Sequence, residues 1–232
     1  MKNLAAVLLL LIGGICHAQL FRNNPVICRT YTISFTNAAF IAKSATPDIT
    51  LFSLPAKHKM LGASVKHSVL FDDGTGPMSA ATVSVGDSSG ATAYTAAFDI
   101  FQAVSATTYQ DTSLFKSTTS VARDVLARFT STGSNFGVTA SAITAASNAA
   151  AASLTSTAHG LQTGNSVTIS GATGSWTPIN DTFSVTRTGA DTFTIPVDST
   201  TFGALTGSPV IGAQTFLTGG SVAISICTAR LQ

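Results

Sequence analysis

The sequence contains no glutamate, and all ten of its acidic residues are aspartates. Glutamate is a strong helix former, so its absence removes a common source of helix stability. Charged residues make up only 9% of the 232 residues, and the formal net charge is +2. This sparse pattern shows neither a basic patch nor an acidic tail, so we expect no nucleic-acid partner. Any carboxylate chemistry would have to use aspartate alone.

Long apolar runs are also missing, with one exception at the start of the chain. Residues 4–12 are uniformly apolar, follow Lys2, and precede a Cys16-His17-Ala18 sequence that ends in a small residue. This layout predicts a secretory signal peptide, residues 1–18, cleaved after Ala18. The run is too short to span a bilayer, and no later segment is a transmembrane candidate. Lipidation of Cys16 and a buried N-terminal element remain alternatives, and we expect an extracellular or virion location.

Serine, threonine, glycine, alanine and valine dominate the rest of the chain, as is typical of β-strands joined by tight turns. Tyr31, Ile33 and Phe35 alternate with polar residues, which predicts a half-buried strand. Similar patterns predict further strands at 48–54, 64–71, 81–86, 121–130 and 220–230. Residues 93–104 fit either a helix or a strand. Regularly spaced strands of this kind indicate an all-β fold, a β-sandwich or jelly-roll-like domain.

The segment 142–213 differs from its surroundings in residue composition and pattern. It opens with an alanine-rich run at 145–152 and then carries its own strand patterns and hairpin signals. We predict that it is a small barrel-like β domain inserted into a discontinuous sandwich domain formed by residues 19–141 and 214–232. An insertion into a surface loop costs the parent fold little.

Two cysteines remain after removal of the predicted leader, and their spacing fits no zinc or redox motif. Cys28 is in phase with the polar face of the first predicted strand, and Cys227 with the less apolar face of the last. If these strands are neighbours, a Cys28–Cys227 disulfide is allowed in an oxidising compartment. Two free thiols are the alternative.

Three stretches in the predicted insert, residues 159–171, 183–186 and 191–195, resemble a recurring small β module. This module is named after the first catalytic-cysteine half-domain of ubiquitin-activating enzymes and is widespread in tailed-phage structural proteins. The resemblance implies a barrel-like spacer or binding module. It does not imply ubiquitin chemistry, because the insert has no cysteine.

The surrounding domain resembles an uncharacterised family of virion proteins. The residues that carry this resemblance are 31–35, 49–55, 65–68, 83–86, 97–104 and 220–222. The resemblance implies a β-sandwich structural protein of a tailed phage.

One motif could indicate an enzyme. Residues 86–90 fit the G-x-S-x-G pattern of serine hydrolases, with Ser88 as the nucleophile. A nucleophile elbow needs a strand before it, a helix after it, and a later acid and histidine. Residues 91–97 predict no clear helix, and His159 falls in a predicted turn of the insert. We therefore predict a hairpin loop here and no catalytic site.

The remaining candidate ligands are weak. Asp72 and Asp73 precede a glycine but lack the alternating acids of a calcium loop, so a solvated turn is expected. His58 and His67 are isolated, and His67 is in phase with apolar neighbours, which favours a hydrogen-bonded core or interface position. We expect no metal and no cofactor.

Trp176 is the only tryptophan, and it lies in a predicted loop. It could contact a ligand as a stacking platform for a surface glycan, or it could anchor the loop. Asn180-Asp181-Thr182 is a glycosylation sequon, which has meaning only in a eukaryotic secretory host.

These observations predict a non-enzymatic structural component of a virion or extracellular assembly. It would be a homo-oligomer, or would bind other structural proteins of the same assembly, through its sandwich surfaces. It would also display the inserted module. The alternative is a secreted or cell-surface module that binds carbohydrate or protein.

Overall fold

The computed structural model describes residues 25–90, 92–101, 108–111 and 121–230, so the predicted leader lies outside the described residues. Two short 3-10 helices, Ala38–Ile41 and Gly174–Ile179, interrupt a chain of strands. The strands are β1 (Ile27–Ser34), β2 (Asp48–Leu54), β3 (His58–Asp72), β4 (Ala80–Asp87), β5 (Phe98–Asp99), β6 (Thr108–Asp111), β7 (Arg123–Thr132), β8 (Gly137–Val138), β9 (Ser141–Ala142), β10 (Ala145–Ser147), β11 (Ala152–Thr155), β12 (Ser166–Ala172), β13 (Thr182–Ser184), β14 (Thr186–Arg187), β15 (Thr192–Ile195), β16 (Gly207–Ile211), β17 (Gln214–Thr215) and β18 (Gly219–Arg230). The prediction of an all-β fold is confirmed.

Two antiparallel four-stranded sheets enclose the first hydrophobic core. Their strand orders are β1-β18-β3-β6 and β2-β7-β4-β5. Alternate side chains of each strand point inward, so the apolar positions of both sheets meet between them. Four phenylalanines pack at the centre of this sandwich, Phe40, Phe71, Phe129 and Phe136, and all four are fully buried.

The strand β3 is longer than its sequence pattern predicts. It pairs with β18 along most of its length, from His58 opposite Arg230 to Asp72 opposite Gly219. Register shifts interrupt this ladder, and each shift breaks the strict alternation on which the sequence prediction depends. In the ambiguous stretch 93–104, Phe98 and Asp99 form the short edge strand β5, and residues 102–107 lie outside the described residues.

A second hydrophobic core contains residues between Val138 and Phe216. Two further sheets surround it, with orders β10-β11-β15-β14 and β13-β12-β16-β9. The chain passes from the first core at Phe136 to the second at Val138, and returns between Phe216 and Leu217. These crossings lie a few residues outside the predicted boundaries at 142 and 213.

A glycine is required where the chain passes between the two cores. A Cβ atom on Gly137 would lie 2.1 Å from the Phe40 carbonyl oxygen and 2.4 Å from that of Gln214. Both contacts are to backbone, which cannot rotate away as a side chain can. This close approach lets β8 pair with β17 and fixes the junction against the first 3-10 helix.

Side-chain hydrogen bonds also join the sandwich to the region around the second core, residues 138–216, which is here called the second module. The amide Nδ2 of Asn165 donates to the Ser134 hydroxyl at 2.9 Å, and both residues are buried. The Asn135 amide donates to the Gly160 carbonyl at 3.2 Å, and Lys43 Nζ donates to the Ala158 carbonyl at 3.1 Å. The second module is therefore held against one end of the sandwich by specific polar contacts.

Candidate functional site

The G-x-S-x-G segment forms a closed turn at the end of β4. Backbone hydrogen bonds run in both directions between Asp87 and Gly90, each 3.0 Å long. Residues 92–101 continue as turns, bends and the short strand β5, so a helix does not follow the serine. Ser88 is exposed, while the ring of His159 is buried in the second core and Nδ1 accepts from the Leu161 amide. The structure does not assemble the hydrolase arrangement from these residues.

Asp87, next to that serine, is the centre of a polar cluster. The residue is 4% exposed, and its carboxylate accepts hydrogen bonds from the backbone and hydroxyl of Ser89, from the Tyr94 hydroxyl, and from Arg123 at 3.3 Å. Burial alone would raise the pKa of Asp87, but these hydrogen bonds outweigh it and lower the pKa to about 2. Burial and the Asp87 carboxylate both raise the pKa of Tyr94. The polar groups of this cluster are hydrogen-bonded to one another, which is typical of a cluster that stabilises the fold.

The predicted turn at Asp72 and Asp73 is also satisfied internally. Asp72 accepts from the Gly74 amide at 2.8 Å, and Asp73 accepts from the Met78 amide at 2.8 Å. Burial raises the pKa of Asp73. Within the described ranges, no three His, Cys or Asp side chains group closely enough to hold a metal ion.

The two isolated histidines take separate positions. His58 lies at the start of β3, where Nδ1 is 3.0 Å from the Ala56 carbonyl. His67 is buried within the first sandwich, and its ring lies 5.4 Å from that of Phe98. The structure does not bring these two histidines together, since eight residues of an extended strand lie between them.

Trp176 is fully buried in the 3-10 helix Gly174–Ile179. Its indole N–H donates to the Gly203 carbonyl at 2.9 Å, and its ring meets that of Phe202 edge-on at 5.1 Å. Burial leaves no open ring face for a sugar, so the position is that of a loop anchor. The sequon residue Asn180 uses both atoms of its amide on the backbone of Ala172, at 2.9 and 2.8 Å.

Cys28 and Cys227 lie directly opposite each other on the neighbouring strands β1 and β18. The structure joins them, with the two Sγ atoms 2.01 Å apart and 199 residues of separation in sequence. The bond connects the first strand of the sandwich to the last.

One flank of the sandwich is open. The edge strand β1 of one sheet lies beside the edge strand β2 of the other, and the rings of Tyr31 and Phe52 stack between them at 5.8 Å. At the end of this flank is a groove of about 130 Å³, lined by Ile27, Arg29, Phe52, Ser53, Pro55, His58, Ile226 and Thr228. Val26 and Ile27 are each 47% exposed, which is unusual for large apolar residues in this chain.

No known family model matches the sequence, and no curated protein is significantly similar to it. Among solved structures, the chain is similar to one described as the cyanophage Pam1 capsid asymmetric unit. The TM-score is 0.39 and the sequence identity 15%, over 90% of this chain and 86% of that one. Similarity at this level says nothing about function. No helix in the described part of the chain is both long enough and apolar enough to cross a bilayer.

Sequence reasoning missed both the polar cluster and the open flank. Asp87, Tyr94 and Arg123 are up to 36 residues apart, and their meeting depends on the pairing of β4 with β7. The flank depends on which strands occupy the sheet edges, and a single sequence does not show strand order. The alternation that places Tyr31 on the inner face was the one available signal.

Proposed function

We propose that this chain is a non-enzymatic structural component of a virion or extracellular assembly. It associates with further copies of itself, or with other structural proteins of the assembly, through surfaces of the sandwich. The observation that carries this proposal is the open flank formed by β1 and β2.

Edge strands present a row of backbone N–H and C=O groups that can pair with another chain, and proteins usually protect such edges. Here β1 ends its sheet over eight residues, most of them exposed, and two apolar residues, Val26 and Ile27, stand at its start. The Tyr31 side chain stacks on Phe52 between these two edge strands, and its buried hydroxyl has no hydrogen-bond partner among the described residues. A flank with these features suits side-by-side packing against another copy or another protein of the assembly.

The rest of the proposal concerns organisation and export. Residues 142–213 form an inserted β module, displayed from a sandwich made of residues 19–141 and 214–232. The separate second core and the few crossings between the cores support this division. Residues 1–18 act as a signal peptide. The intact mass of protein secreted by an expressing bacterium tests the leader, because cleavage after Ala18 predicts a chain that starts at Gln19.

Size-exclusion chromatography with light scattering over a range of concentrations tests self-association. We expect oligomers that grow with concentration. Ile27→Asp places a charge on the β1 edge and should weaken association by about tenfold, because charged edges oppose pairing. Val69→Asp is the matched control, since Val69 is 53% exposed and lies on β3, away from that edge. A monomer at every concentration would contradict self-association.

A further inference from the structure

The first sandwich has two distinct ends. Strand β18 runs from Gly219, beside the second module, to Arg230 at the opposite end. At about 3.3 Å per residue, these ends are roughly 36 Å apart. The antiparallel partner β3 begins at His58 and ends at Asp72, so it spans the same distance in the reverse direction.

The end away from the second module, here called the basic end, carries Arg29, Lys57, His58, Lys59 and Arg230. Strand pairing brings these residues together, because His58 lies opposite Arg230. Arg29, Lys57 and Arg230 are exposed.

Of the aspartates whose side chains the structure describes, Asp87 and Asp124 lie at the same end. Asp87 is buried against Arg123, so among the described residues the exposed cations Arg29, Lys57 and Arg230 outnumber the one exposed acid, Asp124. The groove lined by Arg29 and His58, with the apolar Ile27, Phe52 and Pro55, opens at this end.

The far side of the second module has the opposite charge. Strand β12 starts at Ser166, whose carbonyl accepts from Gln214 near the first core, and it ends at Ala172 opposite Gly207. The 3-10 helix Gly174–Ile179 and the loop 198–206 cover that far end, here called the acidic tip.

The acidic tip carries the exposed Asp198, whose carboxylate accepts from the amide and hydroxyl of Thr200 at 3.0 and 2.7 Å. A second exposed aspartate, Asp181, follows the helix and lies on the side of the second module, where its carbonyl accepts from the Ile169 amide in the middle of β12. Arg187 is the only cation in residues 142–213, all of which the structure describes, and it lies on β14 outside this tip. Three aspartates, Asp181, Asp191 and Asp198, outnumber Arg187 in residues 142–213, so this part of the chain has a net negative charge that complements the basic end.

We propose that the acidic tip of one copy binds the basic end of a second copy, head to tail, with the loop 198–206 against the groove. This inference rests on the proposed function and names the surface used. A contact between two different patches is heterologous, so it builds rows or rings rather than closed pairs. Complementary charges steer such encounters and fix their direction, and salt screens them.

Sedimentation velocity of the full exported chain, in low and high sodium chloride, tests the contact. We expect association to weaken by about tenfold or more at high salt. Lys57→Asp and Asp198→Lys should each weaken it at low salt. Lys57 has a φ of 59°, and aspartate is among the residues that adopt this left-handed conformation, so the first variant should fold.

An equal mixture of the two variants should recover association, because each supplies the patch that the other lacks. Lys66→Asp is the control: it makes the same charge change on an exposed residue in the middle of β3, and should have little effect. Oligomers that persist in both end variants would overturn the head-to-tail contact and leave the proposed function standing. A monomer under all conditions would overturn both.

Discussion

Removal of the bond between Cys28 and Cys227 should destabilise the whole sandwich. The bond closes a loop with a sequence separation of 199 residues and ties together the edge strand β1 and the central strand β18. A cross-link that closes a loop of this length lowers the conformational entropy of the unfolded chain. The loss raises the free energy of the unfolded state by at most about 5 kcal/mol. We expect the Cys28→Ser, Cys227→Ser double variant to lose most of this free energy of unfolding.

The assay is urea unfolding followed by circular dichroism, with and without a reductant. The variant and the reduced wild-type chain should unfold at the same, lower urea concentration, and the reductant should not affect the variant. The neighbouring cross-strand pair, Thr30 and Ser225, is the matched control. Their hydroxyls are 2.8 Å apart and exposed, so replacing both by alanine should cost only about 1 kcal/mol. Equal midpoints for the wild type and the cysteine variant would show that the bond does not stabilise the sandwich.

Three further predictions concern the junction, the second core and the polar cluster. Gly137→Ala should lower the free energy of unfolding by about 3 kcal/mol in urea titrations, because its Cβ would overlap two carbonyl oxygens; an unchanged midpoint would contradict the close approach. Trp176→Ala should cost about 4 kcal/mol by the same measurement, whereas Trp176→Phe should cost less. Asp87→Asn should cost about 2 kcal/mol at pH 7. Folding lowers the pKa of Asp87 from 3.8 to about 2, so the ionised carboxylate stabilises the folded state fully above pH 3.8. This stabilisation should be lost as the pH falls towards 2. The thermal unfolding midpoints of the variant and the wild type should therefore converge in acid.

Local patterns in the sequence predict much of the first sandwich. The predicted strand 48–54 coincides with β2, because Pro55 cannot donate to the ladder and ends the strand. The face assigned to Tyr31, Ile33 and Phe35 is the one that packs on the first core. Strand β3 was predicted too short, because the register shifts opposite β18 interrupt the alternation of buried and exposed residues on which the prediction depends.

The surroundings of single side chains were less predictable. Trp176 lies in a segment rich in turn residues, and its burial depends on Phe202 and Gly203, which follow it by more than twenty residues. The phase of each cysteine was visible in its own strand, but their opposition depends on β1 and β18 being neighbours. Sequence periodicity reports which face of a strand is buried; it does not report which strand lies beside it.

We propose above that this chain builds an assembly and does not act on a substrate. Negative-stain electron microscopy of the exported chain, concentrated at low salt, tests this most directly. We expect ordered rows, rings or shells with a constant repeat between copies. A field of separate single particles at high concentration would contradict it.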